Sequence, residues 1–313
     1  MFNGTDFSVL TLQNRQFRYC TFNNCRFSDT ALTHCTFESC QFLYCQIDNA
    51  RWHNVRMNGC FMQHTDACKS RFKDCQYEKT ALESTRFVQC RFTDSRWQHC
   101  IVKQSDLSLS QFEQCTADGG FYSETLFNQS QHDQCLLTSC IFEKCTGLHT
   151  KFADSTLEKS SFIDSQWPGI HFTQCQIYSF TTGLGVDLSS SHFEQCHLEK
   201  VGFSKANLQA STFIHCSVIE GVYDHANLDQ ATMTFCDMAL LRLKDACLTH
   251  SVWQATSLQQ GILYNADLRD ACFQRCNLAG ANLGMTSQNM TTRFEQCLLE
   301  KTHWLPRRYK IPA

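Results

Sequence analysis

Proline is nearly missing from this chain: its 313 residues hold three, Pro168, Pro306 and Pro312. That scarcity excludes proline-rich linkers and polyproline segments. Long apolar runs are missing too, so no stretch has the length of a membrane-spanning helix. The first residues, MFNGTDFSVL, lack a basic patch followed by an apolar run, and no classical export signal is expected. Neither charge sign dominates. Lys and Arg number 27 against 30 Asp and Glu, and the net charge of −3 names no partner by itself. The familiar chemical signatures are absent as well: there is no phosphate-binding GxxxxGK, no HExxH, no GxSxG and no CxxC pair. In His34-Cys35, His99-Cys100 and His215-Cys216, neighbouring residues on an extended chain face opposite ways, which does not build a metal site. The expectation is no catalytic residue, no metal and no cofactor.

What the chain does have is 22 cysteines and 25 phenylalanines in a fixed rhythm. From Cys20 to Ile47 it reads CTFNN, CRFSD, TALTH, CTFES, CQFLY, CQI. Each unit has a small residue, one free position and then a large apolar centre. Centres fall at Phe22, Phe27, Leu32, Phe37, Phe42 and Ile47; their small partners are Cys20, Cys25, Thr30, Cys35, Cys40 and Cys45. A period of five matches neither a helix nor a simple strand, and self-similarity of this kind decides the fold before any element is assigned. Centres keep one phase from Phe7 to Ile177 and resume at Leu188, which predicts an extra residue within 178–187 near Thr182-Gly183-Leu184-Gly185. A second shift falls within 284–293, leading to Phe294, Leu299 and Trp304.

The later units, Ala206-Asn207-Leu208, Ala226-Asn227-Leu228, Ala266-Asp267-Leu268 and Ala281-Asn282-Leu283, show a second form. On these residues the chain resembles pentapeptide-repeat proteins, whose units read A(D/N)LXX, with a Cys/Phe-rich variant in its first half. The resemblance implies an all-β, right-handed quadrilateral β-helix, four units to a coil, with both repeat positions pointing inward. Residues 1–304 would form about fourteen coils of a single elongated domain. Residues 305–313 would form a cap or tail, in which Leu305 and Tyr309, with Trp304, cover the last coil or the basic Arg307, Arg308 and Lys310 dock on a partner.

The interior follows from that geometry. Residues twenty apart stack at about 4.8 Å, giving inward columns such as Leu12, Leu32, Trp52, Phe72, Phe92, Phe112, His132 and Phe152. Most cysteines hold the small inward position, where they pack as small hydrophobes in a reducing cytoplasm. Oxidation could link Cys20, Cys40 and Cys60, since their spacing lies inside the range a disulfide tolerates. His132 is expected as a core histidine. Ala67, Ala117 and Gly147 are undersized centres that should narrow their coils.

Only the outward residues are left to choose a partner. Basic residues crowd 51–103, with Arg51, Arg71 and Arg91 in one column. From 104 to 143 there is no Lys or Arg, but there are Asp106, Glu113, Asp118 and Glu124. These residues, with the basic tail, are the candidate partner-binding set. They point to a non-catalytic scaffold with protein partners, no direct nucleic acid and no membrane, and to a homodimer through the uncapped N-terminal end. Cys/Phe-rich relatives are similar to proteins accompanying bacterial type VI secretion systems. The resemblance carries two other readings: a DNA mimic that protects gyrase or topoisomerase IV, and an effector secreted by a non-classical route.

Overall fold

The computed structural model describes residues 1–304 and groups the chain into two compact units, Met1–Trp167 and Pro168–Ala313. Residues 305–313, with the expected cap and the basic Arg307, Arg308 and Lys310, lie outside the described residues. The described residues contain strands, bridges and turns and no helix.

In the first unit the chain winds as stacked parallel coils. Three sides of each coil carry a three-residue strand, as in Thr21–Asn23, Ala31–Thr33 and Thr36–Glu38. The fourth side is held by single bridges running Asp6, Arg26, Gln46, Asp66, Arg86, Asp106, Leu126, Thr146 and Gln166. Register is strict: Phe22 pairs with Phe42, Phe42 with Met62, Met62 with Leu82 and Leu82 with Val102. The middle residue of each strand points inward, because alternate side chains leave a strand on opposite faces. Rings then lie flat on one another, as for Phe72 on Phe92 at 4.8 Å and Phe92 on Phe112 at 4.9 Å. Stacking starts at Phe2, which pairs with Phe22, one unit ahead of the Phe7 that the sequence pattern marks first.

The small position does more than fill space. Its thiol or hydroxyl donates to the carbonyl of a centre in the preceding coil: Cys35 to Leu12 at 3.4 Å, Cys40 to Phe17 at 3.3 Å, Thr80 to Met57 at 3.1 Å and Ser165 to Phe142 at 2.9 Å. Cys, Ser and Thr alternate there because each is small and each carries a donor. Every corner also needs a left-handed residue. Asn24, His34, Asn54 and Asp74 have φ of 52°, 53°, 52° and 54°. An L residue pays about 1–2 kcal/mol for that conformation. The corner amide is held by the next coil, with Asn24 N–H donating to Leu43 C=O and Asn54 N–H to Lys73 C=O, each at 2.9 Å.

The second unit uses the same winding, with the bridged turn of the first unit's fourth side now on further sides. Strands continue on one side at His192–Glu194, Thr212–Ile214, Thr232–Thr234 and Val252–Gln254. Where the sequence changes to Ala-Asn-Leu, strands give way to single bridges and tight turns, closed by Ala206 N–H to Phe203 C=O and Ala226 N–H to Tyr223 C=O, both 3.1 Å. The Asn explains itself. Asn207 Oδ1 accepts from the backbone of Gln209 at 3.3 Å, while Asn227 Nδ2 donates to Asn207 Oδ1 at 3.0 Å and Asn207 Nδ2 to Asp187 Oδ1 at 2.9 Å. Each side chain thus closes its own turn and rungs the ladder to its neighbour. The register lengthens where Phe172 meets Phe193 and returns to twenty at Phe193 with Phe213. It lengthens again at Phe273 with Phe294. Gly185, at φ 74°, lies in the first insertion.

Gly147 shows why an undersized centre need not narrow a coil. A Cβ there would meet Trp167 Cε3 at 2.0 Å, so the indole of Trp167 occupies the space a larger centre would claim. Gly147→Ala is therefore expected to destabilise the first unit by about 1–3 kcal/mol through overpacking. Chemical denaturation of Gly147→Ala alone and with Trp167→Phe checks this; the smaller ring should recover part of the loss.

Candidate protein-binding surface

The interior offers no exposed nucleophile. All 22 cysteines are free, and 17 of them are buried. Burial pushes the thiols of Cys45 and Cys100 up to about 11 and those of Cys75 and Cys145 up to about 12. A thiol that stays protonated at neutral pH is a poor nucleophile and a poor ligand. Among the described residues no group of three or more His, Cys, Asp or Glu is placed to hold a metal. Cys20, Cys68, Cys247, Cys272 and Cys297 are half-buried. Iodoacetamide followed by mass spectrometry is expected to label only these five in the native protein, and all cysteines after denaturation.

His132 is buried between Phe112 and Phe152, its ring centroid 4.7 and 4.4 Å from theirs, with Nε2 3.1 Å from the Ser130 hydroxyl. Burial lowers its pKa to about 3. The folded state therefore resists protonation that the unfolded chain accepts near 6.5. Stability is full above pH 6.5 and falls as pH drops towards 3, by about 1.4 kcal/mol per unit. His132→Phe should remove that part of the acid sensitivity, as read by denaturant melts between pH 7 and 4.

On the outside, Arg51, Arg71 and Arg91 stand in register on one side of the first unit. Arg91 Nη2 reaches Glu113 Oε2 at 2.6 Å on the same side. Among the described residues no ion pair engages Arg51 or Arg71, and Lys73 projects beside Arg71 from the same strand. The other acidic candidates are dispersed. Asp106 sits on the bridged side directly after Arg86 and accepts from the Ser108 amide at 2.9 Å. Asp118 ends the strand Thr116–Asp118 on the side that follows the arginines. Glu124 occupies a corner and accepts from Gln104 Nε2 at 3.2 Å. Thus only the three arginines and Glu113 share a side, and Glu113 is already paired.

The sequence reading passed over an apolar ladder. Phe61, Ala81, Ile101, Phe121 and Ile141 pair in register and point outward, with Ile101 and Ile141 43% and 39% exposed. Lys103 Nζ lies 5.9 Å from the Phe121 ring. The position before each centre, read every twenty residues, would have shown it.

The second unit has a polar groove of about 520 Å³ around Asp229, Thr249, His250 and Asp270. Its groups satisfy one another: Asp229 accepts from Thr249 Oγ1 at 2.6 Å and Gln209 Nε2 at 3.0 Å, and lies 2.9 Å from His250 Nδ1. The Thr249 hydroxyl, then His250, Gln230 and Gln209, hold Asp229 down to about 2.

Parallel coils of four sides, built from five-residue units with two inward positions, define a β-solenoid. The family model for the pentapeptide repeat region matches residues 209–283, and over that stretch the chain is similar to pentapeptide-repeat proteins. No curated protein sequence matches it. Among solved structures it is similar to QnrB1, a plasmid-mediated fluoroquinolone resistance protein, at 14% identity over 72% of this chain and 91% of that one, with a TM-score of 0.26. It is also similar to HetL of the cyanobacterium Nostoc, a pentapeptide-repeat protein involved in regulating heterocyst differentiation, at 15% identity over 67% of this chain and 87% of that one, TM-score 0.24. Rfr23 of the cyanobacterium Cyanothece is 21% identical over 34% of this chain and 63% of that one, TM-score 0.20.

Proposed function

We propose that this chain is a non-catalytic scaffold that holds a protein partner on the sides of its first unit. The observation that carries the reading is the Arg51–Arg71 pair. Two guanidinium groups on adjacent rungs repel one another, and among the described residues neither is engaged in an ion pair. An acidic segment of a partner would relieve that repulsion and gain steering from it. The exposed Ile101 and Ile141, with the half-buried Phe121 between them, offer a separate apolar ladder on the opposite side of the coils. Free, mostly buried thiols are consistent with a cytoplasmic setting. An accessory role in bacterial type VI secretion is the particular version that the Cys/Phe-rich repeat favours.

The DNA-mimic reading has less behind it, since a mimic of duplex DNA presents acid along its length and this side presents stacked arginines. Self-association through the half-exposed Phe2, Phe7, Leu12 and Phe17 is a separate proposal that sedimentation can test.

The experiment is affinity capture from lysate of the source cells with wild-type protein and Arg51→Glu/Arg71→Glu, each confirmed folded by circular dichroism. Captured partners are expected to fall roughly tenfold with the charge reversal and to wash off with added salt. Recovery of the same partners in equal yield by both proteins would contradict the reading. Added to a gyrase supercoiling assay, the protein is expected to change nothing.

A further inference from the structure

Ala117 is an undersized centre whose space, unlike that of Gly147, is left unfilled. It stacks between Trp97 and Leu137 in one inward column, where other members include Phe37, Met57 and Tyr77. Beside it Gly120 holds the small position, and a Cβ there would meet Tyr122 Cε2 at 2.8 Å, so the Tyr122 ring has taken Gly120's share of the interior. No ring has moved over Ala117. The result is a cavity of about 40 Å³ walled by Trp97, Phe112, Ala117, Tyr122, His132 and Leu137. The walls register it: Phe112 and His132 are each 8% exposed and Tyr122 is 7%, whereas Phe72 and Phe92, in the same column as Phe112, are at 1% and 0%.

We infer that this cavity is an interior binding site for a small apolar guest of one to a few heavy atoms, a feature beyond the scaffold reading. Its size admits such a guest. One water needs about 10–15 Å³, and a larger engineered apolar cavity of about 150 Å³ takes xenon or benzene while staying dry. Its chemistry favours an apolar occupant over water. A buried water needs roughly 2–4 polar partners, and the walls are mainly ring and aliphatic carbon. The indole nitrogen of Trp97 is buried without a partner and has no accessible surface on the cavity, so it offers a water nothing. His132 Nε2 is engaged with the Ser130 hydroxyl. Polarisable guests gain most from such a lining, because dispersion with several ring faces acts at once.

The test uses xenon as probe on the full-length protein. Xenon NMR of the wild type should show a saturable, protein-dependent shift. Ala117→Leu, which extends the wall into the cavity, should lower xenon occupancy roughly tenfold, with Ala117→Val between. Ala117→Val also serves if the larger side chain prevents folding. A shift that is linear and equal in all three proteins would overturn the inference. So would a crystal structure of the wild type under xenon pressure with ordered water, and no xenon, in the cavity.

Discussion

The bond from an inward thiol or hydroxyl to the carbonyl of a centre one coil away, repeated at most Cys of the small position and at many of its Ser and Thr, is what much of the remaining structure leans on. A coil of four short sides cannot bury its centres alone, so stacking must be in register to hide any of them. Parallel pairing fixes the step, and the donor at the small position ties that step to the identity of one residue in five. Cys100 bonds Tyr77 at 3.3 Å and Cys216 bonds Phe193 at 3.3 Å, one in each unit, with the same geometry. A thiol is a weak donor, yet it is small, apolar and able to satisfy a buried carbonyl. That combination accounts for an interior so rich in cysteine with no disulfide among them.

Much of this was legible before any coordinates. Phe22, Phe42 and Met62 announce a column, and the break before Leu188 announces an inserted residue, because a fixed period leaves no freedom in which residues meet. Two things were not. The left-handed corners at His34, Tyr44 and Lys69 carry residues of ordinary type, so composition gives no sign of them. The contrast between Gly147 and Ala117 depends on where Trp167 lies, which a one-residue-per-position reading does not contain. The Ile101–Phe121–Ile141 ladder was readable from the position before each centre, since outward residues twenty apart stack as the inward ones do. Of the candidate surface, the arginine column was readable as a column. That Arg91 would be neutralised by Glu113, leaving Arg51 and Arg71 unpaired, needed side-chain geometry.

The same regularity shapes what the molecule can do. Inward positions are committed to packing and bury most of their thiols, so chemistry is pushed out of the core. Outward positions are free of the fold's demands, and each becomes a column when repeated. A column of like residues, cationic at Arg51 and Arg71 or apolar at Ile101 and Phe121, is a linear feature that a partner can read along its length. The proposed binding role rests on that linearity.

The central claim is that the coil, twenty residues long, is the unit of structure. Thermal unfolding followed by circular dichroism tests it on two deletions in the first unit. Removing residues 72–91 joins Arg71 to Phe92, which takes the place of Phe72 and leaves one coil fewer with every column intact. Removing residues 73–91 joins Phe72 to Phe92 and throws all later centres out of register. The account predicts that the first variant keeps a cooperative β-sheet transition and the second loses it; equal melting of the two would contradict it.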